Sequence, residues 1–373
     1  MRTTKKEIEA KSFKKNYFNE TFQDTIFTCL IFVIMIIIIT NPKRYTAGTI
    51  SGIKLFFFSV LPGLFPFMLL TKLLTELGML FKMTKHLNKP ARFLFGTPGV
   101  SLYAFFMSIL SGYPIGAKII DDLYQKKLIT EADAKKMTIF CTTSGPIFVI
   151  GAVGTIMLKS FKIGIILYVS HILSCVLIAI LVNLFNRNRK QNQEVLGESI
   201  IISKKDNILG SCVIDSINSI FIVGAYITIF YLLTEIFESI KIFDAITFIC
   251  SPLLKILKID TSYFKGTLYG ILEVTRGCKE LSVSCNKLSI SLCSALISFS
   301  GISIIMQSMV FLKNAKIKTR NFIFNKIAHS ILSFIICYLL LIILWVYVCL
   351  HFNVVDCIFK LITVAFYNSE ILV

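Results

Sequence analysis

The stretch that decides the fold is 100–127, VSLYAFFMSILSGYPIGAKIIDDLYQKK. Its ends are apolar and helix-forming. Its middle, Ser111-Gly112-Tyr113-Pro114-Ile115-Gly116, places two glycines and a proline within six residues, which stops helix propagation. An interrupted backbone at membrane depth is tolerated only where protein or a polar cavity satisfies the freed N–H and C=O groups. This segment is therefore expected to be a re-entrant hairpin of two half-helices.

The rest of the chain sets that segment in a membrane. Hydrophobic residues make up 55% of 373 positions, and the mean hydropathy is +0.77. A spanning helix needs roughly 20 apolar residues, and the runs 25–40, 60–80, 164–185, 220–240, 288–312 and 327–350 meet or approach that length. A soluble α/β enzyme is excluded. The first run follows a polar, charged stretch and ends in Asn41-Pro42-Lys43-Arg44, with no small-x-small cleavage site, so it reads as a retained anchor.

The net charge of +18 would raise nucleic acid as a partner in a soluble protein. Here the basic residues sit between apolar runs, where they orient the chain; no nucleic-acid partner is expected. Four cytoplasmic segments follow: the N-terminus, Lys82 to Arg92, Arg187 to Lys205, and Lys313, Lys316, Lys318, Arg320 and Lys326. Lys126, Lys127, Lys135 and Lys136 again read as inside, which forces 100–127 to enter and leave on one side. The eleven cysteines include no Cys-x-x-Cys pair and read as small buried hydrophobes.

Self-similarity supplies the second half of the fold. Leu73-Leu74-Thr75-Glu76-Leu77 recurs as Leu232-Leu233-Thr234-Glu235-Ile236 (232 − 73 = 159), and Gly116-Ala117-Lys118 recurs as Gly277-Cys278-Lys279 (277 − 116 = 161). Ser144-Gly145 recurs as Ser300-Gly301 (300 − 144 = 156). Three crossings between the copies make the repeats inverted. The expected fold is an all-α polytopic membrane protein of two inverted-topology repeats with re-entrant, broken helices, the sequence pointer to a secondary transporter. Its divisions are a cytoplasmic segment 1–24, an extra helix and loop 25–48, repeat 1 at 49–185, a basic linker 186–206, repeat 2 at 207–352 and a tail 353–373.

Substrate-binding candidates cluster at the breaks. At the first, Ser111, Gly112, Pro114 and Gly116 expose helix N–H groups toward an anion, with Lys118 adding charge; the alternative is a tight turn with Lys118 snorkelling to the interface. Thr142, Thr143, Ser144 and Gly145, before Pro146, offer hydroxyls to substrate or merely re-satisfy a kinked backbone. Glu273, Thr275, Arg276 and Gly277 form the second hairpin's break. Glu273 and Arg276 either pair with one another or serve proton or cation coupling and carboxylate capture, respectively. Ser298, Ser300, Gly301, Ser303 and Gln307 form the counterpart of the Thr-Thr-Ser-Gly break. His171 and His329 read as packed or interfacial, Gly151 and Gly154 as close-packing positions, and Asp215 as cavity-facing or capping. No Walker motif, catalytic triad or metal-ligand cluster is apparent, so no enzyme, cofactor or metal is expected; the coupling ion, H+ or Na+, and a homo-oligomer stay open.

Five stretches in order, Leu61-Pro62-Gly63-Leu64-Phe65-Pro66-Phe67, Ser111 to Lys118, 142–153, 270–277 and Phe299-Ser300-Gly301, resemble the YlbJ/SpoVV sporulation membrane proteins of the nucleoside-recognition (Gate) group. The resemblance implies a multi-pass protein of the outer forespore membrane, made in the mother cell, that moves dipicolinic acid toward the forespore. Dipicolinate is a flat dianion that two helix N-termini, Lys118 and Arg276 could hold. A nucleoside or other solute carrier, and a sporulation scaffold that transports nothing, are the alternatives.

Overall fold

The computed structural model describes residues 24–77, 79–186 and 207–369; the N-terminal segment before Asp24 and the linker after Asn186 lie outside them. Every regular element among the described residues is helical. The chain is an all-α, multi-pass membrane protein. Four helical stretches, Phe161–Phe185, Ile208–Ser239, Lys287–Phe311 and Thr319–Leu344, are long and apolar enough to cross a bilayer, and two bent pairs raise the number to as many as six.

Helix α1 (Asp24–Thr40) meets α2 (Pro42–Leu55) at 106°. Asn41 makes the corner: its side chain accepts the Arg44 N–H at 3.3 Å, and Pro42 takes a first-turn position where its missing N–H costs nothing. The stretch expected as a loop up to residue 48 is thus already helical. A π-helical turn, Phe56–Val60, joins α2 to α3 (Leu61–Glu76), so the expected 60–80 crossing is the second part of one rod that begins at Pro42. The wide turn falls immediately before Pro62, which lacks the N–H an α turn would need.

The remaining elements run in two matching series. The first is α4 (Met79–Phe95), α5 (Val100–Ser111), α6 (Ile115–Gln125), α7 (Glu131–Phe140), an irregular stretch 141–146, a π-helical segment Ile147–Met157 and α8 (Phe161–Asn186). The second opens with α9 (Ile208–Ser239) and continues through α10 (Ile242–Ile256), α11 (Thr261–Leu272), α12 (Val274–Ser282), α13 (Lys287–Phe299), α14 (Gly301–Phe311) and α15 (Thr319–Ser369). All four expected breaks are present, at 112–114, 141–146, Glu273 and Ser300. A further bend of 80° separates His86–Phe95 from α5 at Gly96-Thr97-Pro98-Gly99, which the repeat search did not use. The last helix continues through Ser369, beyond the expected boundary at 352.

Repeat-equivalent first helices pack antiparallel. Along α2 and α3, Arg44 reaches Glu235, Tyr45 bonds Ser239, Phe56 packs on Phe221 and Lys72 reaches Asp215, so one number falls as the other rises. Other contacts also exchange between the halves: α6 packs on α14 as α12 packs on Ile147–Met157, and α8 packs on both α13 and α15. Asp215 and Glu235 are 20 positions apart (235 − 215), about 30 Å of helix, the depth of a hydrocarbon core.

Glycines let the breaks touch. Gly112 has φ +82°, and a side chain there would stand 2.5 Å from the Gly145 nitrogen; one on Gly116 would stand 1.7 Å from the Cys141 carbonyl oxygen. Gly154 packs against Gly164 as expected, whereas Gly151 faces open space and is no packing position. Of the described cysteines, Cys141, Cys175, Cys212, Cys278, Cys293 and Cys337 are buried and free, as small hydrophobes, while Cys29 and Cys285 are exposed. Replacing Gly116 by alanine is expected to lower unfolding stability in detergent by about 1–3 kcal/mol through overpacking; Gly151→Ala is expected to be neutral or slightly stabilising. Equal midpoints for the two variants would contradict the break-on-break packing.

Candidate functional site

Three polar groups occupy the interior, and they divide the expected site residues. The central group forms where the breaks at 112–114 and 141–146 meet α8 and α15. The Ser108 hydroxyl accepts the Thr143 N–H at 3.1 Å and bonds the Thr143 hydroxyl at 2.9 Å. The Ser144 N–H, freed by the break, donates to Nε2 of His171 at 2.8 Å. That nitrogen is therefore unprotonated, and His171 Nδ1–H donates to Ser298 Oγ at 2.8 Å. His329 stacks on His171 with ring centroids 4.7 Å apart, and its Nε2–H donates to the His171 carbonyl at 2.9 Å.

Lys326 completes this group. It is 2% exposed and is the one lysine or arginine buried outright among the described residues. Its ammonium donates to the Thr142 carbonyl at 2.6 Å and to the Tyr113 hydroxyl at 3.0 Å, and it lies over the rings of Tyr113 and Phe322 at 4.4 and 5.6 Å. Among the described residues no carboxylate reaches it within ion-pair distance. A buried ammonium with only neutral partners is short of one negative charge. Close by, the hydroxyls of Ser111 and Ser300 and Nδ1 of His329 are buried without hydrogen-bond partners, with Ser300 beside Tyr113.

Lys118 lies elsewhere. It donates to Ser219 on α9 and sits over the Phe311 ring at 5.7 Å, beside a cluster in which Lys72 meets Asp122 (3.1 Å), Glu76 (3.5 Å) and Asp215 (3.5 Å) and Lys126 meets Glu76 (3.1 Å). Asp215 neither caps a helix nor stands alone; it pairs with Lys72. The third group lies at the other end of α9, where Arg276 binds Glu235 at 2.7 Å and also Glu238, with Arg44 3.5 Å from Glu235 and 3.9 Å from Glu238.

The expected Glu273–Arg276 side-chain ion pair is corrected. Glu273 is buried and caps α12, accepting the N–H groups of Thr275 at 3.1 Å and Arg276 at 2.8 Å. The Arg276 guanidinium turns away to two glutamates of α9 and the Tyr269 ring. Lys118 and Arg276 share no partner and lie toward opposite ends of α9, beside Ser219 and Glu235.

Other expected residues have structural duties. Thr142 Oγ1 bonds back to the Thr138 carbonyl at 2.8 Å, re-satisfying the kink, and it is the Thr142 carbonyl that Lys326 uses. Pro114 starts α6, Gly277 packs on Gly270, Gly301 (φ +71°) packs on the Gly270 carbonyl, and Gln307 donates to Ser303 at 3.2 Å. Ser111, Gly112, Thr142, Thr143, Ser144, Gly145 and Ser300 remain at or next to the central group.

Sequence reasoning missed Lys326, counting it with the basic connection, because the apolar run starts at Ile327; α15 starts at Thr319, which puts Lys326 two turns inside the helix. It also left His171 and His329 as merely packed. A usable signal existed: 329 − 171 = 158, inside the range of the repeat offsets, so the two histidines are equivalent positions.

The chain is similar to the sporulation integral membrane protein YlbJ of Bacillus subtilis (strain 168): 24% identical over 313 residues, covering 79% of this chain and 77% of that protein. No family model matches the chain, and no solved structure does. Replacing Arg276 by alanine leaves two glutamates to Arg44 alone and is expected to cost about 1–3 kcal/mol of stability, read as an earlier denaturation midpoint. Adding Glu238→Gln to that variant should recover part of the loss; no recovery would count against this ion group.

Proposed function

We propose that this chain is a secondary carrier for a small organic dianion, dipicolinate, moving it across the outer forespore membrane during sporulation. Lys326 carries the proposal: a buried cation with no acidic partner, set where broken helices of both halves converge. Such a place stabilises an anion by charge, by hydroxyls left free at Ser111 and Ser300, and by the starts of α6 and α14. The site is shared between halves, since Thr142 and Tyr113 come from the first and Lys326 from the second.

The antiparallel packing of α2 and α3 on α9 supports an inverted repeat, and two inverted halves that meet at the His171–His329 stack can rock about one site. A cavity of about 390 Å³ opens beside it, lined by Lys135, Thr138, Lys318, Arg320 and Phe322 among others. The basic side chains draw an anion in, and Phe322, which lines this cavity, has its ring 5.6 Å from the Lys326 ammonium. Two connections read as cytoplasmic from their charge, 126–136 and 313–320, contribute to this one cavity.

Dipicolinate is the substrate that the resemblance implies, and a relative named for sporulation supports it. A nucleoside carrier would need amide and carboxylate groups facing the sugar. The two obvious ones here, Gln307 and Glu273, are engaged by Ser303 and by the start of α12.

The test is dipicolinate uptake into vesicles carrying the full chain. Lys326→Met is expected to weaken uptake by about 10- to 100-fold, as for losing a charged hydrogen bond of about 1.5–3 kcal/mol. Removing the unpaired buried charge offsets the loss of its hydrogen bond to the Thr142 carbonyl, so the denaturation midpoint should change little and uptake is the deciding readout. Wild-type uptake no greater than in empty vesicles, or full uptake by Lys326→Met, would sink the proposal and favour the scaffold.

A further inference from the structure

Of the four ring nitrogens in the stacked histidine pair, three are engaged by neutral protein groups: His171 Nε2 by the Ser144 N–H, His171 Nδ1–H by Ser298, and His329 Nε2–H by the His171 carbonyl. His171 is thereby held in one neutral tautomer. The fourth, Nδ1 of His329, is buried and has no partner. Because Nε2 of that ring holds its proton against a carbonyl, Nδ1 presents a bare lone pair. His329 lies three residues after Lys326 on α15, so both face the same side of the helix.

We propose that Nδ1 of His329 is a proton-binding site that couples proton movement to anion transport. This rests on the carrier reading of the same site. With Lys326 taken as the ammonium throughout the cycle, charge balance sets the number. Lys326 supplies one positive charge against the two negative charges of the dianion, and one proton on Nδ1 makes the loaded site neutral. That proton enters from the same aqueous phase as the anion, converts the imidazole to imidazolium, and leaves with the anion on the other side. The empty carrier returns with Lys326 charged and His329 neutral.

The surroundings leave no competing acid. From α8 the ring meets His171, already engaged at both nitrogens, with Cys175 one turn away; the break at 112–114 contributes Tyr113, held by Lys326. The α7 end contributes Cys141, which donates to the Ser101 carbonyl, and α13 contributes the Ser298 and Ser294 hydroxyls, its Cys293 facing Cys278. Cys337 lies two turns further along α15. No Asp or Glu occurs in α8, in α13 or in 319–344 of α15.

The experiment uses the full chain in sealed vesicles, labelled dipicolinate and a trapped pH dye. For the wild type, one proton should enter with each dipicolinate, and an inward gradient of one pH unit should raise accumulation about tenfold. In His329→Gln the side-chain amide can still donate to the His171 carbonyl but offers no titrating nitrogen. The gradient's effect on its accumulation should fall to about onefold. Wild-type uptake without proton entry overturns this proposal alone, whether or not the variant inserts. A His329→Gln carrier that keeps the tenfold response overturns it as well. No wild-type uptake at all overturns the carrier reading, and this proposal with it.

Discussion

Hydrocarbon offers no hydrogen bonds, and this chain breaks its helices at 112–114, 141–146, Glu273 and Ser300, so the freed backbone groups must find partners inside the protein. The central group is built from that necessity. The Thr142 carbonyl, released where α7 ends, is taken by Lys326, and the Ser144 N–H, released in the same stretch, is taken by His171. Gly112 lies against Gly145 because each break leaves room only for the other's main chain. The side chains that mend the backbone are thereby fixed at the place where a ligand would meet helix ends from both halves.

Charge is distributed unevenly along the same frame. At one end of α9, Lys72, Lys118 and Lys126 face Glu76, Asp122 and Asp215; at the other, Arg44 and Arg276 face Glu235 and Glu238. Both clusters balance, positive against negative. The centre does not balance. An unpaired ammonium there carries a standing cost, and a protein retains such a cost where a ligand relieves it. This is why Lys326, and not the more conspicuous Lys118 or Arg276, organises the functional reading.

The breaks were legible because glycine and proline interrupt helices by local chemistry that any reading of 111–116 can see. The repeat rests on matching residues that recur at offsets of 156 to 161, and the antiparallel contacts between α2–α3 and α9 are in line with the inversion it implies. What could not be read were partners distant in the chain. Arg276 looks free beside Glu273, yet its glutamates lie 41 and 38 residues earlier, at 235 and 238. Lys326 looked like a boundary residue because hydropathy marks where apolar residues begin, while the helix itself begins at Thr319. The bend at 96–99 carries the same signal, two glycines and a proline in Gly96-Thr97-Pro98-Gly99, but lies between two segments of unlike polarity where no single apolar run is interrupted.

Inverted packing explains how one chain can present a site to two sides, but symmetry alone gives nothing to bind. The equivalent of Lys326 in the first half is Tyr168 (326 − 158), whose hydroxyl donates to the Ile109 carbonyl at 2.8 Å. Tyrosine and lysine at matched positions thus perform the same repair, each donating to a carbonyl near a break, and differ in charge. The histidines diverge likewise: His171 is saturated and His329 keeps one nitrogen free. The second half thus adds to the shared scaffold the buried cation and the open ring nitrogen. On the proposed carrier reading, two such halves would exchange between two arrangements, and the unsymmetric residues place a single charge where those arrangements would meet, which is the condition for a bound anion to travel with the change between them.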